Sequence, residues 1–429
     1  MAHDPLGGED AAWLHMEDAT NPMVVNGLLE LASPIAPAQV CGLLADRLAT
    51  RPRFRSRVIE PLTHMGTPHW EIDPDFDVAR HVEHVDLGTS DEAALAAFVS
   101  GAISSLLDRS APLWRVYVID RPGKGSALLF RIHHAIADGF ALLGVLLSLC
   151  EGSEGRAAAS SSALPPPRKL SAVRSVADLA LAAGRVALLP RDPPTRFKSR
   201  LGASKLVAWS EPILLEDVKR IARAEGATVN DVLVATVAGA LRRYLVLGGA
   251  DVKDLELRAM VPVNVRRPGD LELGNRFGLV VLGLPVGIAD PLSRLAAVKR
   301  RMDRLKATPE ALVTMGILRA MGHAPRKVEG LGVSFFATKA SMVLTNVPGP
   351  RAPLAIAGSR ITRLMFWVPQ SGRMGLGISI FSYAGEVTLG VMADAGIVPD
   401  PQALVGELHV ELASLAAMVR ADVAARASP

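Results

Sequence analysis

The sequence is poor in the residues that mark disulfide frameworks, metal clusters and nucleic-acid surfaces. Its two cysteines, Cys41 and Cys150, lie far apart and form no metal-type cluster, which disfavours a disulfide framework and fits a reducing compartment. Aromatic residues make up 4% of the chain, and 47 basic against 43 acidic residues give a net charge of +4. A general nucleic-acid-binding protein has a stronger basic bias or a basic stripe interleaved with aromatics. We therefore exclude nucleic acid as the partner.

Long hydrophobic runs and targeting signals are also missing. No uninterrupted apolar run approaches the roughly 20 residues that cross a bilayer. Residues 1–10 have neither the basic start nor the apolar core of a secretory signal. The 429 residues, 49% hydrophobic and 21% charged, predict a globular chain of two domains. We expect a cytoplasmic protein, soluble or peripheral on the inner membrane or on lipid inclusions.

Several nucleotide and hydrolase motifs are absent as well. The chain has no Gly-x-Ser-x-Gly elbow, no Walker-type loop and no Gly-x-Gly-x-x-Gly segment. The sequence therefore implies neither ATP nor NAD, and it gives little support to Ser-His-Asp hydrolysis.

Helix-like and strand-like segments alternate along the chain, which predicts an α/β or α+β fold. Helices are predicted at 36–48, 92–107, 216–225, 232–245, 291–305 and 400–420, and strands at 24–31, 114–119, 126–132, 257–265, 278–284, 341–345, 375–383 and 386–392. Thr228 and Asp231 have the spacing of a capping box in front of one helix.

A basic, proline-containing segment divides the chain into 1–155, 156–205 and 206–429. Between Arg156 and Lys205 there are ten Lys or Arg and two acidic residues, and three consecutive prolines at 165–167 favour an extended spacer. Residues 170–189 have the pattern of an amphipathic helix with flanking arginines. Two interpretations stay open: a patch that lies on an anionic membrane or lipid droplet, and a bridging helix with a solvated basic face.

The most informative chemical signal is His133-His134-x-x-x-Asp138-Gly139, directly after the apolar run 127–132. A strand that ends in imidazoles, with Gly139 supplying backbone freedom before the apolar stretch 140–149, suits a general base on a strand-to-helix turn. A metal site is disfavoured, since adjacent side chains diverge on a strand and no second His pair or Cys completes a ligand shell. The motif alone also fits two structural histidines bonded to backbone.

Further segments support a catalytic interpretation. They are Met16-Glu17, Asn21-Pro22-Met23, Pro112-Leu113-Trp114, Asn230-Asp231, Pro262-Val-Asn-Val-Arg266 and Thr345-Asn346-Val-Pro-Gly-Pro350. In this order they resemble the bacterial wax ester synthase/diacylglycerol acyltransferase family, within the CoA-dependent, chloramphenicol acetyltransferase-like superfamily. The resemblance covers nearly the whole chain, although 429 residues is compact for the family.

The resemblance implies two similar α/β domains, each a mixed sheet flanked by helices, with the histidines in a tunnel between them. It implies transfer of a long-chain acyl group from acyl-CoA to a fatty alcohol or diacylglycerol, giving wax ester or triacylglycerol, with no metal, ATP or prosthetic group. Two alternatives are acyl transfer from a carrier protein in a condensation-type reaction, and a non-catalytic lipid-binding or droplet protein.

Within this resemblance, His134 is the expected general base and His133 packs or orients the turn. Asp138 is either a relay acid or, as we favour, a structural ion-pair partner, with Arg266 as its possible counterpart. The substrate-binding candidates are Asn230, Asp231, Thr345, Asn346, Pro112, Leu113 and Trp114. Among them, Asn230 and Thr345 have the donor groups of an oxyanion site, although a helix cap and an ordinary strand position explain them equally, and Pro112-Leu113-Trp114 more readily buttress the first domain.

Overall fold

Helices and sheets alternate through the computed structural model, which describes residues 4–61, 67–151, 184–266, 272–306, 308–323, 335–370, 372 and 374–427. The described helices are α1 (Gly8–Met16), α2 (Pro37–Arg47), α3 (Glu92–Ile103), α4 (Gly139–Leu149), α5 (Leu215–Ala224), α6 (Val229–Leu247), α7 (Pro291–Lys306), α8 (Glu310–Met321) and α9 (Pro401–Ala427), with 3-10 turns at Pro52–Phe54 and Val78–His81.

The strands belong to three sheets. They are β1 (Asp4–Pro5), β2 (Val24–Leu31), β3 (Ser56–Ile59), β4 (His69–Ile72), β5 (Val82–Asp86), β6 (Trp114–Arg121), β7 (Gly125–His133), β8 (Lys205–Trp209), β9 (Ile213–Leu214), β10 (Leu257–Asn264), β11 (Phe277–Leu284), β12 (Met342–Pro348), β13 (Ala355–Ile356), β14 (Ser359–Trp367), β15 (Leu376–Tyr383) and β16 (Glu386–Asp394).

Both large sheets are mixed, as expected. The first has the order β13-β14-β2-β7-β6-β5, in which only β5 and β6 pair in parallel. The second has the order β11-β10-β12-β15-β16-β8, and β9 also pairs with β16. In this sheet β12 pairs in parallel with both β10 and β15. A small sheet, β1-β4-β3, completes the described strands. Every residue of β7 is buried, which accounts for its largely apolar sequence.

A strand from the second half of the chain completes the first sheet. Strand β14 pairs antiparallel with β2, placing Phe366 opposite Gly27 and Trp367 opposite Asn26. Strand β14 was not predicted from the sequence, although its first half alternates buried and exposed residues as a strand does. The sheet built by residues 24–133 is therefore completed by residues 355–367, which lie beyond the predicted linker.

Most predicted elements are present. The predicted strand 24–31 coincides with β2, and the capping box before α6 is formed by Thr228 and Asp231, whose side chains accept each other's backbone N–H at 3.1 and 2.9 Å. The amphipathic segment predicted at 170–189 lies mainly outside the described residues.

Helix α9 is the one described helix whose length and composition would allow it to cross a membrane, over Pro401–Val423 with mean hydropathy 1.2. It packs against α6 and β8, and its buried residues Leu404, Leu408 and Leu415 belong to the core of the second sheet. Core packing therefore accounts for the apolar face of this helix.

Candidate active site between the two sheets

His134 lies on the turn that joins β7 to α4. Its backbone N–H donates to the carbonyl of Met23 at 2.7 Å, and its own carbonyl accepts from Nδ2 of Asn275 at 2.7 Å. The imidazole stacks on Trp13 with ring centroids 4.3 Å apart, and Phe277 lies at 5.6 Å on another side. Residues from both halves of the chain thus hold the backbone and the ring of His134.

The electrostatic surroundings keep this imidazole neutral. Burial lowers the pKa of His134 to about 4, although the nearby charge of Asp138 opposes the shift. Its Nδ1 atom is buried and has no hydrogen-bond partner within the described residues. A neutral imidazole at neutral pH can accept a proton, which is the state that a general base requires.

His133 points into a different environment. Its ring is fully buried, Nδ1 accepts from the N–H of Ala135 at 3.0 Å, and Nε2 lies 3.4 Å from a carboxylate oxygen of Glu17. Burial would raise the pKa of Glu17, but its contact with His133, the guanidinium of Arg109 and the N–H of Met23 lower it to about 2. His133 therefore anchors the turn, as expected from the sequence.

Asp138 forms the predicted ion pair. Its Oδ2 atom accepts from Nη2 of Arg266 at 2.7 Å and from the N–H of Arg276 at 2.9 Å, while Oδ1 accepts from the N–H of Ala141 at 2.9 Å. The two charged side chains are only 3% and 4% exposed. Asp138 thus caps α4 and ties the turn to the second half of the chain.

Gly139 is not held in a special backbone conformation. It is the first residue of α4, and its φ does not lie in the left-handed region that favours glycine. A Cβ atom built at this position would meet nothing within 4 Å. The interpretation that Gly139 supplies backbone freedom is therefore wrong, and the position instead borders open space.

That open space belongs to two adjoining cavities. The His134 cavity, about 60 Å³, lies between the halves and is lined by Trp13, His134, Asp138, Gly139, Phe140, Met260, Pro262, Phe277, Leu279, Val343, Thr345, Val347, Phe366, Val368, Pro369 and Met374. The apolar cavity, about 80 Å³, lies among α4, β2, β7 and β14. Gly139, Val347 and Phe366 line both cavities, so the two share a wall.

A third, larger cavity of about 310 Å³ contains three asparagines and is called the asparagine cavity below. Asn230, Asn264 and Asn346 line it, and Nδ2 of Asn346 donates to Oδ1 of Asn230 at 2.7 Å. Because side chains alternate along a strand, Asn346 faces this cavity while its neighbour Thr345 faces the His134 cavity.

Comparisons with known proteins agree on one family. The model of the wax ester synthase/diacylglycerol acyltransferase catalytic domain matches residues 6–187, and the model of the WS/DGAT C-terminal domain matches residues 273–416. The chain belongs to the wax ester synthase/diacylglycerol acyltransferase family. It is therefore an acyltransferase.

Among relatives of this family is a probable diacylglycerol O-acyltransferase, tgs1, of Mycobacterium tuberculosis, which is 29% identical over 95% of this chain and 95% of its own length. A putative diacylglycerol O-acyltransferase from the same organism is 28% identical, covering 93% of this chain and 87% of the relative.

Two solved structures share the fold. The wax ester synthase/diacylglycerol acyltransferase from Marinobacter aquaeolei VT8 has a TM-score of 0.70 at 24% identity, covering 97% of this chain and 99% of that one. The first condensation domain of the calcium-dependent antibiotic synthetase has a TM-score of 0.65 at 17% identity, covering 97% and 96%. The expected two-domain acyltransferase architecture is thereby confirmed.

The motifs that carry the family resemblance hold the turn in place. The carbonyl of Leu113 accepts from the N–H of His133 at 2.9 Å, and Trp114 is buried with its Nε1–H on the carbonyl of Phe54 at 2.8 Å. Neither these residues nor Pro112 lines the three cavities described above, so their position fits a buttress. Asp231 is also absent from those linings, because its side chain is buried in the capping box of α6.

Sequence reasoning missed the residues that surround the base from distant segments. Asp10, on α1, accepts from Nδ2 of Asn275 and from Arg53, both at 2.9 Å, and burial raises its pKa despite these partners. Trp13 lies one helical turn further on and stacks on His134. The only signal in the sequence was that Asp10 and Trp13 lie three residues apart, on one face of a helix, just before the Met16-Glu17 motif. Only the folded chain brings this helix to the turn that carries His134.

Metal ligands do not converge at this site. Among the residues that the structure describes, no group of three or more His, Cys, Asp or Glu side chains could hold a metal ion. The two histidines of the motif point into different surroundings, as adjacent residues of a strand end do.

Proposed function

We propose that this chain transfers the acyl group of a long-chain acyl-CoA to the hydroxyl of a fatty alcohol or diacylglycerol, with His134 as the general base. The observation that supports this most is the neutral His134 ring on the wall of a largely apolar cavity between the two halves. The relatives' names and the family models supply the substrate classes.

The proposed reaction has one tetrahedral intermediate. His134 takes the proton of the acceptor hydroxyl as its oxygen attacks the thioester carbonyl, so that a C–O bond forms. Collapse of the intermediate breaks the C–S bond, and the imidazolium returns the proton to the departing CoA thiolate. The products are an ester and free CoA, and no covalent acyl-enzyme, metal or prosthetic group is needed.

The apolar cavity is the proposed place of the acyl chain. It shares a wall with the His134 cavity, and no lining residue that the structure describes has a charged or polar side chain: Val25, Gly27, Leu29, Leu48, Phe130, Ile132, Gly139, Leu142, Leu143, Val145, Leu146, Leu149, Val347, Leu364, Met365, Phe366 and Phe381. Burying methylenes there contributes about 0.8 kcal/mol each.

Thr345 is the proposed oxyanion donor. Its hydroxyl-bearing side chain lines the same cavity as His134, whereas Asn230 lines the asparagine cavity. A hydroxyl positioned toward the developing charge stabilises the tetrahedral intermediate more than the ground state.

The test compares His134→Ala with His84→Ala on palmitoyl-CoA with hexadecanol and with diacylglycerol. His84 is a matched control, because its exposed ring pairs with Asp120 far from the cavity. Loss of the base lowers kcat by about 10²- to 10⁴-fold, whereas the control keeps wild-type turnover. Near wild-type kcat in His134→Ala refutes the assignment of the base. A wild type that turns over neither acceptor supports a non-catalytic lipid-binding protein instead.

The fold of the condensation domain supports one alternative donor, an acyl carrier protein. Free palmitoyl-CoA supports turnover if acyl-CoA is the donor. A requirement for a phosphopantetheinylated carrier favours the condensation-type reaction instead.

A further inference from the structure

The asparagine cavity lies next to the His134 cavity but is chemically distinct from it. Phe140 and Pro262 line both, so these two side chains form the partition between them. The volume of about 310 Å³ is at the lower end of the range of small-molecule sites. The asparagine cavity is therefore separated from the His134 cavity by these two side chains.

The lining selects for an uncharged ligand. Within the described part of the chain, the lining contains no Lys, Arg, His, Asp or Glu; it consists of Phe140, Leu215, Val229, Asn230, Leu233, Val234, Val261, Pro262, Val263, Asn264, Leu282, Met302, Leu344, Asn346, Pro348, Ile380, Ser382 and Val387. Burying an unpaired charge there would be costly. A phosphate or nucleotide does not fit this chemistry, whereas aliphatic walls suit a lipid chain or a similar neutral arm.

The three asparagines add donors for carbonyl oxygens. They come from three separate motifs, on α6, β10 and β12, and they converge only in the folded chain. Oδ1 of Asn230 accepts from Asn346, and Oδ1 of Asn264 accepts from the N–H of Arg266 at 3.0 Å. Within the described residues, the NH₂ groups of Asn230 and Asn264 donate to no protein acceptor, so they are available to a ligand.

We propose that the asparagine cavity binds an uncharged, carbonyl-bearing segment of one substrate, through the amide groups of Asn230, Asn264 and Asn346. This rests on the proposed acyl transfer. Two sources carry such carbonyls: the ester groups of a diacylglycerol acceptor and the amides of the pantetheine arm of acyl-CoA. A simple fatty alcohol lacks them, which makes hexadecanol the discriminating acceptor.

The experiment measures KM for palmitoyl-CoA, dioleoylglycerol and hexadecanol in Asn230→Leu and Asn346→Ser. The first change keeps side-chain size and removes the amide, and the second shortens the side chain and breaks the Asn–Asn hydrogen bond. Neither residue hydrogen-bonds to the turn that carries His134. Val246→Ala is the matched control, at an exposed position near the other end of the same helix.

We expect KM to rise about 5- to 10-fold for the substrate that occupies the cavity, as loss of one or two net hydrogen bonds implies. A rise for dioleoylglycerol, with hexadecanol unchanged, assigns the cavity to the acceptor esters. A rise for palmitoyl-CoA with either acceptor assigns it to the pantetheine arm. The proposal is overturned if all three KM values stay within about twofold of wild type in variants whose melting temperatures match that of the control.

A binding measurement distinguishes failure of this proposal from failure of the proposed acyl transfer. Isothermal titration of wild type and Asn346→Ser with dioleoylglycerol in detergent micelles, and with pantetheine, requires no turnover. If wild type transfers no acyl group but binds one of these ligands in an Asn346-dependent way, the function fails and the cavity assignment stands. If neither ligand binds more weakly to the variant, the cavity assignment fails even where turnover is intact.

Discussion

Two adjacent histidines have different surroundings because neighbouring residues at a strand end project in different directions. His133 turns toward Glu17, which also accepts from Arg109 at 3.1 Å, and so it joins a charged network. His134 turns toward Trp13 and Phe277, where burial outweighs the nearby charge of Asp138 and favours the neutral form of the ring. The same dipeptide thus supplies both a support for the turn and the proposed base.

The low pKa of His134 predicts the acid limit of activity. Because its pKa is lowered to about 4, the free enzyme keeps a neutral imidazole down to that pH, and the acid limb of kcat/KM lies well below 6.5. The unfolded chain binds this proton below about 6.5, so the free energy of unfolding rises with pH between about 4 and 6.5. Measurements of kcat/KM and of the free energy of unfolding between pH 4 and 8 check both predictions. Recovery of activity after return to pH 7 is the control. A half-maximal kcat/KM near pH 6.5 contradicts the prediction.

The Asp138–Arg266 pair predicts a loss of stability on Asp138→Asn. An asparagine keeps the cap on Ala141 but removes the carboxylate from a buried ion pair, and breaking such a pair costs about 3 to 5 kcal/mol. Asp91→Asn is the matched control, since Asp91 caps α3 at an exposed position. Urea denaturation measures the difference. An unchanged midpoint together with lost turnover would instead make Asp138 a participant in chemistry.

At the scale of the element, helix α4 links the turn to the proposed acyl site. Asp138 caps its first turn, Gly139 begins it where two cavities meet, and its apolar residues Leu142 and Leu146 line the apolar cavity. The helix is apolar on nearly all sides, because one face packs in the core and another borders the cavity.

Gly139→Ala separates a backbone requirement from a need for space. The backbone accepts alanine, so stability stays the same or rises by about 0.4 to 1 kcal/mol, while the added methyl occupies open space where the His134 cavity and the apolar cavity share a wall. We expect kcat/KM for palmitoyl-CoA to fall about 10-fold. Gly101→Ala in α3, where a Cβ also meets nothing within 4 Å, is the control. Full activity in Gly139→Ala would show that the space is not used.

At the scale of the whole molecule, the two halves are interdependent. Strand β14 lies in the first sheet, and residues from the second half, including Leu354, Ile361 and Leu364, belong to the hydrophobic core beneath it. The hydroxyl of Tyr383 also accepts from the N–H of Leu354 and donates to the carbonyl of Ile361, at 2.7 and 3.1 Å. The base and its aromatic neighbours come from both halves.

This arrangement predicts that residues 1–151 do not fold as an independent unit. Without β14, the edge of β2 exposes unpaired backbone groups and apolar side chains, which favours aggregation. The same fragment with residues 353–369 joined through a flexible linker is the control, and we expect it to be more soluble. Light scattering and heteronuclear NMR distinguish the outcomes; a dispersed spectrum from 1–151 alone contradicts the prediction.

The sequence by itself determined the features that depend on neighbouring residues. The period-2 and 3.6 patterns predicted most strands and helices, Thr228 and Asp231 predicted a capping box, and the segment around the paired histidines predicted a strand-to-helix turn. These signals are local, since hydrogen bonding and burial within one element constrain residues a few positions apart. The motif order also identified the family.

Only the tertiary structure decided which distant groups meet. It brought Trp13, Asn275 and Phe277 to His134, inserted β14 beside β2, and gathered three asparagines around one cavity. It also showed that Gly139 borders open space and is not a strained turn residue. Such contacts join residues far apart in the chain, and their energies come from packing and burial that no short sequence window contains.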